Sequence, residues 1–116
     1  LLFFTEDEKF LIINRALLKS EFVFDSTTNL DEVINKLDTT FYDVLIIDIK
    51  SQSEKFIIKT LKNIRKNKIY SELPVIAISN YDVISNREKI INLGFSDSLS
   101  KPFTKAQLVY VINKFI

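Results

Sequence analysis

The sequence predicts an α/β fold in which five parallel strands alternate with five helices. Two apolar runs, at 44–48 and 75–79, are nearly continuous and rich in β-branched residues, which is typical of strands buried on both faces. Between such runs lie stretches with the 3.6-residue period of amphipathic helices, and the connections are short. Because this alternation favours a parallel sheet covered by helices on both faces, we expect one doubly wound domain.

The five strands are predicted from short apolar runs that polar residues or turn formers separate. The third and fourth runs are the clearest, since their apolar residues are consecutive rather than alternating with polar ones. The predicted ranges are 1–5, 22–26, 44–48, 75–79 and 95–99.

The first two helices are predicted at 8–20 and 30–37 from their apolar periodicity. In the first helix Asn14 is expected to lie outside the apolar side, whose members are Leu11, Ala16, Leu17 and Leu18. In the second helix Asn29 is the expected N-cap, and the inward residues are Val33, Ile34 and Leu37.

The last three helices are predicted at 55–67, 83–93 and 105–116. Gly94 fits the stop position after the fourth helix, and Thr104 fits the N-cap of the fifth. The residues expected to face the core are Ile57, Ile58, Leu61 and Ile64 in the third helix, Ile84, Ile90, Ile91 and Leu93 in the fourth, and Leu108, Val111, Ile112 and Phe115 in the fifth.

The composition excludes several kinds of site. The 116 residues include no cysteine, no histidine and one glycine, so disulfides, thiolate or imidazole metal sites, histidine triads and glycine-rich phosphate loops are ruled out. The net charge of +1 gives no reason to expect nucleic acid or a membrane surface, and no apolar run reaches the ~18 residues that span a bilayer. We expect a single cytoplasmic domain over 1–116, and the absence of methionine suggests that it is excised from a longer chain.

The charge is unevenly divided along the chain. Residues 1–48 carry ten acids and four bases, a balance of −6, and residues 49–116 carry five acids and twelve bases, a balance of +7. This division fits either a mosaic of solvated surfaces or acids and bases that meet in the folded chain. The basic stretch 59–68, with Lys59, Lys62 and Lys66 on one helical face, is interpreted as a solvated face because no aromatic residues are interleaved with it.

Polar side chains mark the predicted carboxyl ends of four strands. Glu6 and Asp7 follow the first strand, and Asp48 ends the third. Ser79 ends the fourth strand, and Lys101 follows the fifth. Because ligands of open parallel sheets bind outside this edge, we expect the five side chains to converge there.

Three carboxylates at one edge repel one another strongly, since unit charges 4 Å apart interact by ~4 kcal/mol at an effective dielectric of 20. Without imidazole or thiolate, the cation that fits among them is Mg²⁺, which binds carboxylates, water and phosphate oxygens. Asp48 can then act as a nucleophile toward phosphorus, while Ser79 and Lys101 hold the oxygens of the transferred group.

Four segments resemble the receiver domains of two-component response regulators, and the resemblance runs from end to end of the chain. The segments are LLFFTEDEKFL at 1–11, YDVLIID at 42–48, LPVIAIS at 73–79 and GFSDSLSKPF at 94–103. The resemblance implies a flavodoxin-like sheet with the strand order 2-1-3-4-5 between five helices.

The resemblance also implies a role for each residue at the sheet edge. Asp48 would accept a phosphoryl group from a kinase phosphohistidine, Ser79 would sense that group and Lys101 would contact it. The peptide bond between Lys101 and Pro102 would be cis. The implied ligands of Mg²⁺ are the carboxylates of Glu6, Asp7 and Asp48 and the backbone carbonyl of Lys50.

The leading hypothesis is a phosphorylation-dependent signalling switch that turns over no external metabolite. Its implied partners are a histidine kinase or phosphotransfer protein and an attached output domain, and its parent could be a hybrid histidine kinase. A homodimer through the fourth helix, fifth strand and fifth helix is a further possibility. The alternative is a degenerate receiver that acts as a phosphorylation-independent interaction module. A flavin-binding domain is poorly supported, since two acids follow the first strand where a phosphate-binding loop would lie.

Several positions depart from the family pattern. Gln52 and Phe56 stand where a proline and a glycine are common, so the loop beside the site is expected to be reshaped, either by drift or for different kinase docking. Lys50 faces either solvent or the acids, where its charge would weaken Mg²⁺ binding. Lys50 and Tyr81 are expected to slow dephosphorylation. Ser98 replaces the usual switch aromatic, so the usual coupling cannot operate in that form.

Overall fold

A computed structural model of the chain describes residues 1–80 and 87–116. Ten elements alternate as the sequence predicts, and the predicted start of the fourth helix at 83 lies outside the described residues. The strands are β1 (Leu2–Phe4), β2 (Asp25–Thr27), β3 (Leu45–Ile49), β4 (Val75–Asn80) and β5 (Asp97–Lys101). The helices are α1 (Glu8–Leu18), α2 (Leu30–Thr39), α3 (Glu54–Lys66), α4 (Arg87–Leu93) and α5 (Lys105–Asn113).

The strands form one parallel sheet in the order β2-β1-β3-β4-β5, which confirms the predicted flavodoxin-like topology. Helices α2, α3 and α4 cover one face of the sheet with residues such as Val33, Leu61 and Ile90. Helices α1 and α5 cover the other face, where Leu18 and Ile112 are fully buried. All five residues of β3 are buried, as expected for a central strand that is covered on both faces. Among the described residues, no helix is long and apolar enough to cross a bilayer.

In the part of the chain that the structure describes, three helix starts are fixed by side-chain caps and one helix end by a glycine. The side chain of Asp7 accepts hydrogen bonds from two backbone N–H groups of α1, and Asn29 caps α2 in the predicted way. Thr104 and Gln107 form a reciprocal capping box at the start of α5. Gly94 ends α4 with φ = +113°, a backbone angle that residues with a Cβ atom rarely adopt, so glycine is required there.

Two predicted details of the first helix and second strand are wrong. Asn14 is 1% exposed, because it lies on the same face of α1 as Leu11 and Leu18, and its Nδ2 donates to the Phe10 carbonyl at 2.8 Å. Ala16, by contrast, is exposed. The second strand pairs only over Asp25–Thr27, since its predicted apolar start at 22–24 forms a connection that packs partly on α1 instead of pairing in the sheet.

Helix α4 also departs from the prediction, because Ile91 is 41% exposed rather than inward. Ile90 is buried and Leu93 is half-buried, so the helix contacts the core along one narrow line. The predicted inward residue Ile84 lies outside the described residues.

A buried carboxylate joins the last three elements. Asp97 in β5 is 2% exposed, and its two oxygens contact Lys114 of α5 at 2.9 Å and Arg87 of α4 at 3.2 Å. The backbone N–H of Ser98 donates to the same carboxylate at 2.8 Å. Burial alone would raise the pKa of Asp97, but these hydrogen bonds and charges outweigh it and lower the pKa below its ordinary value. Asp97 therefore stabilises the contact among α4, β5 and α5.

This lowered pKa gives a pH dependence of stability. A depressed carboxyl pKa contributes stability that is present above the unfolded value of about 3.9 and is lost as the pH falls through the folded value. Replacing Asp97 with asparagine (Asp97→Asn) is expected to lower the free energy of unfolding by about 1–2 kcal/mol at pH 7, because the solvent-accessible cations can rehydrate. The difference should shrink below pH ~4, where the wild-type carboxylate also loses its charge.

Urea unfolding of both proteins from pH 7 down to pH 3 measures the effect. The matched control Asp43→Asn neutralises an exposed carboxylate and should unfold like the wild type across that range. A constant difference between the Asp97→Asn variant and the wild type at every pH would contradict the assignment.

Candidate functional site

The side chains predicted from the strand ends lie at one edge of the sheet. Asp48 is the fourth residue of β3, and its neighbour Ile49 pairs with Ser79 of β4. Ser79 pairs in turn with the residue that precedes Lys101 in β5. Glu6 and Asp7 follow the end of β1, which lies beside β3 on the other side. The parallel arrangement thus puts all five residues at the carboxyl edge.

The centre of this edge is the carboxylate of Asp48, whose side chain is fully buried. The ammonium of Lys101 lies 2.8 Å from Oδ1 of Asp48. The hydroxyl of Thr5 donates to Oδ2 at 2.7 Å. A buried carboxylate is costly unless it is paired and hydrogen-bonded, so these two contacts offset the cost of burying Asp48.

Lys101 is held by a second contact besides the ion pair. Its ammonium lies 4.1 Å from the centre of the Phe10 ring in α1, a cation–π geometry. The Phe10 ring in turn meets Phe103 edge to face at 6.1 Å. The bond between Lys101 and Pro102 is cis, as the resemblance implied. The ammonium is therefore held between the Asp48 carboxylate and the Phe10 ring.

Thr5 is a site residue that the sequence reasoning missed. It is fully buried, it donates to Asp48, and it accepts a hydrogen bond from the backbone N–H of Asp7 at 3.1 Å. A signal was present, because Thr5 is the polar residue that closes the first apolar run directly before the acid pair.

The acid pair is turned toward the start of α3 and the loop before it. The hydroxyl of Ser53 donates to Oε1 of Glu6, so Ser53 makes no side-chain cap to α3 itself. Asp7 accepts from the backbone N–H groups of Lys9 and Phe10, and the Lys50 ammonium lies 3.8 Å from its Oδ2. The pKa of Asp7 is lowered, mainly by the Phe10 N–H; desolvation opposes this, and the Lys50 charge adds to the lowering.

This edge contains the types of oxygen atom that bind a divalent metal ion. Glu6, Asp7 and Asp48 supply carboxylates, and the Lys50 carbonyl accepts the Ser53 N–H at 3.0 Å while keeping a second lone pair. Oδ1 of Asp48 is fully buried and is ion-paired with the Lys101 ammonium. Within 1–80 and 87–116, however, the acids do not form a cluster of three around one point. Lysine ammonium groups stand beside two of the three acids instead.

The remaining positions singled out in the sequence lie around this centre. Ser79 is 1% exposed at the end of β4, and Ser98 is half-buried on β5. Gln52 lies exposed in the turn before α3, and Phe56 on α3 is 63% exposed. Tyr81, which was expected to slow dephosphorylation together with Lys50, lies outside the described residues. Three lysines of α3 are exposed, as expected for a solvated face: Lys59, Lys62 and Lys66.

Comparison with solved structures places the fold among receiver domains. The Francisella response regulator 1452 receiver domain is 27% identical, with a TM-score of 0.78 over 98% of this chain and 93% of that one. A Bacteroides fragilis signal receiver domain superposes with a TM-score of 0.85 at 21% identity, over 97% of this chain and 92% of that one.

A third similar structure is the receiver domain of sensor histidine kinase PA1611 from Pseudomonas aeruginosa, which has a magnesium ion coordinated in its active-site cleft. It is 18% identical, with a TM-score of 0.79 over 98% of this chain and 94% of that one. Curated protein sequences contain no match to the chain. The sequence profile of the response regulator receiver domain matches residues 4–113, so the chain belongs to the response regulator receiver domain family.

Proposed function

We propose that this receiver domain is a signalling switch that accepts a phosphoryl group on Asp48 from a phosphohistidine. The observation that carries the proposal is the buried Asp48 carboxylate at the carboxyl edge of the sheet, with the ammonium of Lys101 at 2.8 Å. Family membership supports the reaction class, and the positions of Glu6, Asp7 and Ser79 at the same edge support the assignment of the other roles.

In the proposed reaction, a carboxylate oxygen of Asp48 forms a bond to phosphorus while the bond from phosphorus to the donor histidine nitrogen breaks. The departing imidazole keeps the electron pair and takes a proton. Lys101 neutralises charge on the transferred group, and the Ser79 hydroxyl is assigned to one of its oxygens. Thr5 holds the other carboxylate oxygen, which keeps the acceptor oriented.

Magnesium, when bound, would withdraw negative charge from the phosphoryl oxygens. Its ligands would be the carboxylates of Glu6, Asp7 and Asp48 and the backbone carbonyl of Lys50, which match the ion in kind. The magnesium found in the similar Pseudomonas receiver domain supports this choice of ion. Glu6 would then exchange its contact with Ser53 for the ion, and Asp7 would face the ion together with the Lys50 ammonium.

The partners follow from this chemistry. A histidine kinase or phosphotransfer protein would supply the phosphohistidine in the cytoplasm. The signal would pass to an attached output domain or, if the parent protein is a hybrid kinase, to the rest of that kinase. The face of α4, β5 and α5, which Asp97 holds together, is the proposed contact for output or for a homodimer. The domain would turn over no external metabolite.

A second candidate function is a phosphorylation-independent interaction module. It is favoured by the Lys50 ammonium, which lies 3.8 Å from Asp7 where a metal ligand is needed. The half-buried Ser98, which replaces the usual switch aromatic, also favours this candidate. Direct phosphorylation separates the two candidates.

The first test incubates the domain with acetyl phosphate or BeF₃⁻ in the presence of Mg²⁺. Mass spectrometry of the intact and digested protein is expected to find one phosphoryl adduct, on Asp48, and ¹⁹F NMR should detect bound BeF₃⁻. The Asp48→Ala variant should give neither signal. The control Asp43→Ala removes an exposed carboxylate at the other end of the sheet and should behave like the wild type. Absence of any adduct on the wild type would favour the interaction module.

The second test concerns the charge of Lys50. Its ammonium lies near Asp7 and competes electrostatically with a cation bound there, so Lys50→Asn is expected to bind Mg²⁺ about threefold or more tightly. Isothermal titration calorimetry with Mg²⁺ measures the affinity without any phosphodonor. Lys55→Asn, which removes an exposed lysine from α3, is the matched control. Equal affinities for the wild type and the Lys50→Asn variant would rule out the effect.

A further inference from the structure

A groove of about 520 Å³ lies at the end of the sheet opposite Asp48. It is formed by the end of α2 and by the loops that precede β3 and β4, and Phe115 after α5 closes one side. We use "the groove" for this space, whose apolar walls include Leu37, Phe41, Tyr42, Ile69, Tyr70 and Leu73. The volume is in the range of sites that take small ligands or a few side chains.

Two large apolar side chains lining the groove are almost fully exposed. Phe41 is 86% exposed and Ile69 is 87% exposed. A single exposed apolar side chain is ordinary, but two that line the same groove form a patch that water solvates poorly. Such a patch is typical of a surface that another molecule covers.

The polar groups of the groove wall hold its shape. The hydroxyl of Tyr42 donates to Asp25 of β2, and the hydroxyl of Tyr70 donates to Asp38 at 2.9 Å. Burial, and after it the hydrogen bond to Asp25, raises the pKa of Tyr42 to about 12, so this hydroxyl stays protonated. Because their hydroxyls are engaged, both rings are fixed and present apolar surface to the groove.

The charge of the groove indicates the chemistry of what covers it. Three carboxylates line it, from Asp38, Asp43 and Glu72, against the ammonium of Lys68, and the Arg65 guanidinium lies behind the wall near Glu72. The whole chain has a net charge of +1, so this acidic rim stands apart from the average surface. An occupant that combines apolar and cationic groups would satisfy both the apolar walls and the rim.

We propose that the groove binds a short segment of a partner protein in which an apolar side chain is flanked by lysine or arginine. The apolar side chain would cover the surface at Phe41 and Ile69, and the basic side chains would face the acidic rim. The groove lies at the amino ends of β3 and β4, at the end of the sheet opposite Asp48. The inference therefore does not depend on phosphorylation of Asp48.

A second copy of the chain is a poorer occupant. The surface of this chain that combines apolar and basic groups is the outer side of α3 around Phe56, which is not the groove itself. Docking that surface into the groove of another copy would be a heterologous contact, which would build an open chain of copies rather than a closed dimer. Charge complementarity alone does not select that arrangement over a partner segment.

The test is a selection from a random library of displayed peptides about twelve residues long, with the wild-type domain as the target. Enriched peptides are expected to combine apolar residues with lysine or arginine. The affinity of these peptides for the Phe41→Ser, Ile69→Ser double variant should be at least about tenfold lower than for the wild type. The Asp43→Asn, Glu72→Gln double variant should also bind them more weakly, and its loss of affinity should be larger at low salt than at high salt. In ¹⁵N NMR titrations of the wild type, the amide signals that shift should belong to residues 38–43 and 68–74.

The matched control is Val23→Ser, which removes an apolar side chain that is 89% exposed outside the groove. It should bind the peptides like the wild type. Urea unfolding should show that Phe41→Ser, Ile69→Ser is folded, because both side chains are exposed and make little contribution to the core. Enrichment of peptides without basic residues, binding that the double variant leaves unchanged, or recovery of no peptide would each overturn the proposal. So would a wild-type oligomer that the double variant converts to a monomer, since the occupant would then be a second copy.

Discussion

The buried carboxylate of Asp48 is the constraint around which the carboxyl edge of the sheet is organised. A charged group with no solvent contact is tolerated only if cations and hydrogen-bond donors surround it, and here they come from different elements. Thr5 reaches it from the end of β1, and Lys101 reaches it from β5 across the intervening β4. The Phe10 ring then ties Lys101 to α1. One acid on the central strand thereby fixes the relative positions of elements that are distant in sequence.

Ion pairs at and near this edge partly explain the uneven division of charge along the chain. Of the six ion pairs among the described residues, three join an acid of 1–48 to a lysine of 49–116; their acids are Asp7, Glu21 and Asp48. Only the pair with Asp48 is buried, so it is the one with a large effect on stability, while the other two are long and partly exposed. Most of the remaining charge lies on solvated surface, as the first of the two interpretations held.

The sequence predicted the fold well for strands that are covered on both faces. It predicted the fold poorly where apolar residues pack in a connection or a polar residue lies on a buried helix face. The third and fourth strands were predictable because both faces of each are covered, which requires consecutive apolar residues. The start of the second strand was not, since Phe22 and Phe24 use their apolar surface in a connection rather than a strand. Asn14 was misplaced because its polarity was given more weight than its spacing from Leu11 and Leu18. At the site, strand ends located the acids, Ser79 and Lys101. The direction of the Lys50 side chain and the presence of Phe41 and Ile69 in one groove depend on turns that the sequence alone does not specify.

The complete burial of β3 has a consequence for signalling between the two ends of the domain. Asp48 lies near one end of this five-residue strand and the groove begins before the other, so about 10 Å of buried strand, from Leu45 to Asp48, separates them. Binding at two sites on one protein obeys thermodynamic reciprocity: a segment in the groove that changed the equilibrium for phosphorylation by some factor would itself bind more or less tightly by that factor after phosphorylation. A central strand that is buried along its whole length leaves that factor near one unless the sheet has a second arrangement. With such an arrangement, the domain would integrate two inputs rather than report one.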